Sequence, residues 1–166
     1  MSENEPVEKI GLSIDFNFSE KGASVLKLAA TELDRLEGVT YIRPELLLAA
    51  VIAEGSSNHI LIEHGVMPES VLASLRDLTK PVFKKVDPIG LDKRVLGAES
   101  RITNNTRDAL FSARARAREL DRKTEPEDIF YGITNSGHNY ATDILEGLGF
   151  NWGKHKEQGD VFNNTQ

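Results

Sequence analysis

The sequence predicts an all-α fold: a tandem repeat of two four-helix units with pseudo-twofold symmetry, its final helix degenerate. Three observations predict it. Apolar residues recur at three- and four-residue spacing through most of the chain, which is the period of one helix face. Pro44, Pro68 and Pro126 stand where helices begin, and Gly38, Gly65 and Gly149 stand where they end. Above all, the pattern of residues 18–78 is written a second time over 102–150.

Composition sets the outer limits. The chain has 166 residues, 39% of them hydrophobic and 28% charged, enough to bury one core shared by two small halves. The formal net charge of −6 argues against general binding to nucleic acid, whose phosphates are held by excess Lys and Arg. There is no cysteine, which excludes disulfides, thiolate zinc sites and thiol catalysis. No apolar run approaches the ~20 residues that cross a bilayer. The opening MSENEPVEKIG is acidic rather than signal-like, so a cytoplasmic location without membrane partners is expected.

Residues 1–15 form a tail, although the alternation Leu12-Ile14-Phe16-Phe18 is also compatible with a short docked extended piece. The first helix starts at Ser19, a hydroxyl cap followed by Glu20, and carries Val25, Leu26, Ala29, Leu33 and Leu36 until Gly38. Pro44 opens the second. Its run Leu46 to Ala53 is apolar nearly all round and should be central, covered on most sides. Ser56, Ser57 or Asn58 caps a short third helix, His59 to His64, and Gly65 supplies the left-handed residue behind it. Pro68 opens a fourth with Val71, Leu72, Leu75 and Leu78. Residues 79–100 hold two prolines and two glycines without a sustained period and read as a connector.

The second copy follows at a displacement of 84 residues, with Ser19 on Thr103, Leu26 on Leu110 and Ala29 on Ala113. At 82 residues Pro44 falls on Pro126, Glu45 on Glu127, Leu48 on Phe130 and Val51 on Ile133. The displacement returns to 84 where Ile60-Leu61 meets Ile144-Leu145 and Gly65-Val66 meets Gly149-Phe150. The gaps fall in loops, as copies of one helical unit require. The fourth helix of the second copy is short, distorted or missing, because FNWGKHKEQGDVFNNTQ has two glycines and few apolar residues; residues 151–166 are assigned as a second tail.

The repeated Phe or Ile, then Ser or Thr, then a long Ala/Leu helix, then P-E-x-[LI]-[LF]-x-[AG]-[VI] and a glycine stop resembles the Clp N-terminal domain. The resemblance covers residues 16–150. It implies a non-enzymatic docking module that receives adaptor and client proteins for a Clp unfoldase. It also implies, in each repeat, a pocket for phosphorylated arginine made from a hydroxyl at the start of the first helix and a Glu at the start of the second. Carried onto this chain, the hydroxyls are Ser19 and Thr103 and the carboxylates Glu45 and Glu127. The chemistry is sound, since helix N-termini take phosphate and carboxylates pair with guanidinium. The plainer reading of the same residues is two caps and two first-turn acids. The sequence departs from the family at Pro44 and Pro126, where the family usually has Thr, and Glu125 adds negative charge beside the second position. No G-x-x-x-x-G-K-[ST] loop occurs, so this chain is read as a docking platform without the ATPase.

Other chemistry is weaker. His59 and His64 lie on different helix faces, no histidine has metal-ligand spacing, and neither metal nor cofactor is expected. His138-Asn139-Tyr140 reads as a loop and cap. Arg114, Arg116, Arg118, Arg122 and Lys123 read as a solvated helix face, with an acidic partner or phosphate as the alternative. Trp152 and Phe162 either mark a contact or cover the core beside the weak last helix. Two other functions stay open: a structural or regulatory dimerisation protein without Clp partners, and a hydrolase using Ser19 or Ser57 with a histidine.

Overall fold

The computed structural model describes residues 17–35, 41–79 and 102–155. The expectations for the first tail, Leu36, Gly38, the connector after Thr79 and Phe162 fall outside them. Seven helices are placed: α1 Glu20–Arg35, α2 Pro44–Glu54, α3 Asn58–Glu63, α4 Pro68–Thr79, α5 Asn104–Glu119, α6 Pro126–Asn135 and α7 Tyr140–Gly147. The chain is helical again at 152–155. Among the described residues there is no extended strand, and no helix is long and apolar enough to cross a membrane.

Helix α1 begins where its cap predicts, with the Gly22 amide donating to Ser19 Oγ at 3.0 Å. Its inner face, Val25, Leu26, Ala29, Ala30 and Leu33, is buried. Helix α2 starts with Pro44 in its first turn and ends at Gly55, whose φ of 93° is left-handed and whose amide donates to Val51 O. Its composition leaves no polar side to face water. Accordingly Leu46, Leu47, Leu48, Ala50, Val51 and Ile52 are all buried, and α2 packs against α1, α4, α5, α6 and α7. At roughly 1.5–3 kcal/mol for each large apolar side chain removed from water, α2 contributes more to the core than its length suggests.

The positions matched in sequence recur in the structure. Helices α1 and α5 are both 16 residues long, and their first residues, Glu20 and Asn104, keep the displacement of 84. Gly65 and Gly149 take φ of 87° and 89° behind α3 and α7. In each, the following residue donates back across the helix end, Val66 N–H to Leu61 O at 2.9 Å and Phe150 N–H to Leu145 O at 3.0 Å. Val66 and Phe150 are buried by that fold-back.

Two further features concern α3 and the helical turn at 152–155. Ser57 occupies the cap position of α3, but its side chain makes no capping bond; Asn58 instead donates to Ile52 O at 3.2 Å. Two histidines are buried among aromatic rings. His64 and His155 are 1% and 4% exposed, and the first stacks on Phe150 at 4.7 Å while the second stacks on Tyr131 at 4.6 Å. Carbonyl oxygens only accept, so the 2.7 Å contact to Ile60 O puts a proton on His64 Nδ1, while Nε2 has no hydrogen-bond partner. Thr134 gives its hydroxyl proton to Tyr131 O, so it accepts from His155 Nε2, and His155 Nδ1 is bare in turn. Trp152, partly buried against the core, packs its ring on Phe150 at 4.7 Å. The turn at 152–155 is thus held by aromatic stacking.

Helices α5 and α6 meet at Gly132, where a Cβ would lie 2.1 Å from Ala109 O. Gly132→Ala must push the two backbones apart and is expected to cost about 2 kcal/mol or more in urea denaturation. Gly147→Ala, with open space around it, is expected to gain about 0.5–1 kcal/mol, because it only removes freedom from the unfolded chain.

Burial first, then the charges of His64 and Arg116, lower the His155 pKa from 6.5 to about 4. The docked turn therefore holds the neutral ring, while the undocked turn takes up a proton near 6.5. Docking is at full strength above pH 6.5 and weakens as pH falls towards 4, by up to about 1.4 kcal/mol per pH unit. Trp152, the one tryptophan, reports it: emission should shift to the red across that window in the wild type and stay flat in His155→Phe.

Candidate docking site at the interleaved helix starts

Each half of the molecule begins its first helix on the other half. Phe18 forms a parallel bridge with Thr124, ahead of α6, and Ile102 forms its counterpart with Ile42, ahead of α2. The Ser19 amide donates to Thr124 O at 3.0 Å, the Thr124 amide returns to Asn17 O at 2.8 Å, and the Thr103 amide donates to Ile42 O at 3.1 Å. Ser19 therefore sits at the approach to α6 and Thr103 at the approach to α2. The structure groups Ser19 with the segment leading to Glu127, and Thr103 with the segment leading to Glu45, across the halves rather than within each repeat.

At the Thr103 end, hydroxyls do the stitching. Thr106 Oγ1 donates to Ile42 O at 2.7 Å, so the 2.9 Å contact between the two threonine hydroxyls takes its proton from Thr103. Thr103 Oγ1 also accepts the Thr106 amide at 3.2 Å, the expected capping bond. The neighbouring Glu45 is in the first turn of α2, its side chain 15% exposed. Its ion pair is with Arg43 at 3.8 Å, and Arg43 is 61% exposed, so water screens most of that attraction.

The Ser19 end is more heavily charged. Ser19 donates its hydroxyl proton to Glu125 Oε1 at 2.9 Å, and Glu125 also caps α6 in a reciprocal box with Asp128. Asp128 is fully buried, and Arg116 and Arg122 approach it at 2.6 and 2.7 Å. Arg116 spreads its fork over two acids, reaching Glu127 Oε2 at 3.2 Å, with its guanidinium 4.1 Å above the Tyr131 ring. Burial alone would lower the Arg122 pKa, but the hydrogen bond and charge of Asp128, then Glu127 and Glu125, raise it. Burial raises the Tyr131 pKa against the pull of Arg116. The solvated-face reading therefore fails for Arg116 and Arg122, which face inward to acids on α6. Two positions carried the signal: Arg116 stands where the first copy has Glu32, and Asp128 where it has the apolar Leu46.

The remaining candidates are placed plainly. The Ser57 hydroxyl is buried and unbonded, and Ser19 bonds Glu125 and Gly22, so neither serine is joined to a histidine. Asn139 caps α7 through the Thr142 amide at 3.0 Å, as its place before that helix predicts. Among the described residues no group of His, Cys, Asp or Glu is arranged to hold a metal ion.

No protein-family model matches the chain, and no curated protein does. Its fold does have solved counterparts. The chain is similar to the crystal structure of the N-terminal domain of the caseinolytic protease-associated chaperone ClpD from Arabidopsis thaliana, with a TM-score of 0.62 and 17% identity over 85% of this chain and 90% of that one. The all-helical fold is that of a Clp chaperone N-terminal domain.

Replacing Arg116 by Met leaves buried Asp128 with one of its two cations. The expected loss is about 2–4 kcal/mol by chemical denaturation, with full backbone helicity retained in the folded baseline.

Proposed function

We propose that this chain is a non-enzymatic protein-docking module of the Clp N-domain type, receiving adaptor or client segments for a Clp unfoldase as helper or as decoy. One observation carries the proposal: the helical architecture matches a chaperone's N-terminal domain across most of both chains. The interleaved helix starts fit it. Each combines first-turn amides, which lack partners within their own helix, with a hydroxyl cap and a carboxylate on the adjoining segment.

Phosphorylated arginine is the ligand whose chemistry suits such an end, its phosphate on the amides and its guanidinium on the acid. The two ends are unequal. Glu127 is already engaged by Arg116 and Arg122, whereas among the described residues Glu45 pairs with the exposed Arg43 at 3.8 Å. We therefore assign ligand binding to Thr103 and Glu45, and hold the Ser19 and Glu127 end to be internally occupied.

Titration with phosphoarginine tests this. Glu45→Ala should abolish measurable binding and Glu127→Ala should leave it within about twofold, since at that end the ligand's acid is already taken. Equal affinity of the wild type and both variants would remove the site. Affinity capture with Clp unfoldases that yields no partner would remove the docking role itself.

A further inference from the structure

Arg43 stands in the least suitable place on α2 for a cation. It is the residue before the helix, at φ −98° and ψ 166°, where a short oxygen-bearing side chain would accept from the first-turn amides. Its side chain makes no capping bond, and its charge adds to the positive end of the helix dipole. The corresponding residue of the second copy, Glu125 ahead of α6, differs on both counts: it is an acid, and it caps in a reciprocal box with Asp128. Local preference is obeyed at one end and broken at the other. Departures of this kind concentrate where a residue serves binding rather than the fold.

Nor does the fold gain much from the ion pair that Arg43 makes. Its Nη1 is 3.8 Å from Glu45 Oε2, beyond hydrogen-bonding reach, and 61% of the arginine side chain is open to water. Glu45 is in a different state. Its side chain is only 15% exposed, and among the described residues this pair is its one polar contact. A carboxylate so far withdrawn from water, and accepting no hydrogen bond from the described residues, keeps its capacity for the paired bonds of a guanidinium fork. Glu127 has spent part of that capacity, since Arg116 already bonds it at 3.2 Å.

The pair imposes a charge rule on whatever enters. A guanidinium that takes Glu45 comes to lie beside Arg43, like charge against like. An anion carried by the ligand next to its guanidinium reverses the sign of that second contact. The carbonyl of Ile42, one residue earlier, accepts from Thr103 N–H at 3.1 Å, which puts the base of Arg43 beside the start of α5. The cation thus stands next to both residues assigned to this end.

We infer that Arg43 is the specificity-determining residue of the Thr103 and Glu45 end: it repels unmodified arginine, and it pairs with the phosphate of phosphorylated arginine while Glu45 takes the guanidinium. This rests on the reading of that end as a phosphoarginine site, and adds to it the group that tells the modified residue from the ordinary one. Glu45 alone cannot make that choice, because a carboxylate attracts either guanidinium. In the second copy Glu125 stands in the place of Arg43, so a phosphate meets a like charge there.

Calorimetric titration of the full chain with N-acetylphosphoarginine amide and with N-acetylarginine amide tests the role of Arg43. The wild type should prefer the phosphorylated ligand. Under Arg43→Ser, affinity for that ligand should fall about tenfold, as for the loss of one charged hydrogen bond. Affinity for the unmodified ligand should rise by roughly two- to fivefold as the like charge goes. Arg43→Lys, which keeps the charge, should keep the preference. Serine is a good residue at a helix start, so Arg43→Ser should melt no lower than the wild type, and unfolding cannot account for the change. Equal shifts for both ligands, or no shift for either, would overturn the role of Arg43, and the Glu45 site would still stand if Glu45→Ala abolishes binding. A wild type that binds neither ligand would remove site and specificity together.

Discussion

Everything in the molecule hangs on two amides that find their acceptors in the opposite half. Ser19 N–H bonds Thr124 O and Thr103 N–H bonds Ile42 O, each ahead of a helix whose own first turn is thereby fixed in place. Free amides at a helix start would otherwise need water or a ligand. By lending one another a carbonyl, the halves set the angle at which α1 approaches α6 and α5 approaches α2. The wholly apolar α2 can then be covered on most of its surface. Glycine is required where this weave is tightest, as at Gly22, where a Cβ would stand 2.3 Å from Thr124 O.

The same weave makes the two ends chemically different although their backbones correspond. In one, threonine hydroxyls satisfy each other and a carbonyl, and the nearby acid faces an exposed, solvent-screened arginine. In the other, a buried aspartate draws in two arginines, and a glutamate is caught in the same net. Desolvating Asp128 without those cations would be costly, so the pairs exist first to make its burial tolerable. The buried acid in the first turn of α6 thereby ties that helix start to two arginines.

Helix positions were legible because their signals are local. Ser19 and Thr103 cap, Pro44 and Pro126 open, and Gly65 and Gly149 close, each through the geometry of a few consecutive residues. The apolar composition of α2 likewise announced its central place. The exchange of partners between the halves was not legible, because a repeated unit has the same sequence whether its helix starts rest on itself or on its twin. Arg116 and Asp128 were legible only by setting the two copies side by side: on a charged helix alone, water and a buried carboxylate are equally good reasons for an arginine. The burial of His64 and His155 had no sequence signal: their apolar ring faces sit among Phe150, Tyr131 and Trp152, with one nitrogen of each bonded.

The exchanged carbonyls bear on how the chain acquires its shape. The bond from Ser19 to Glu125 closes a span of 106 residues, far longer than the neighbouring contacts from which helical bundles ordinarily assemble. Because each half anchors the other's helix start through contacts so distant in sequence, the molecule should fold in one concerted step, and slowly for an all-helical protein of its size. Heat should likewise dissolve both halves together, giving a single melting transition where two independent bundles would give two.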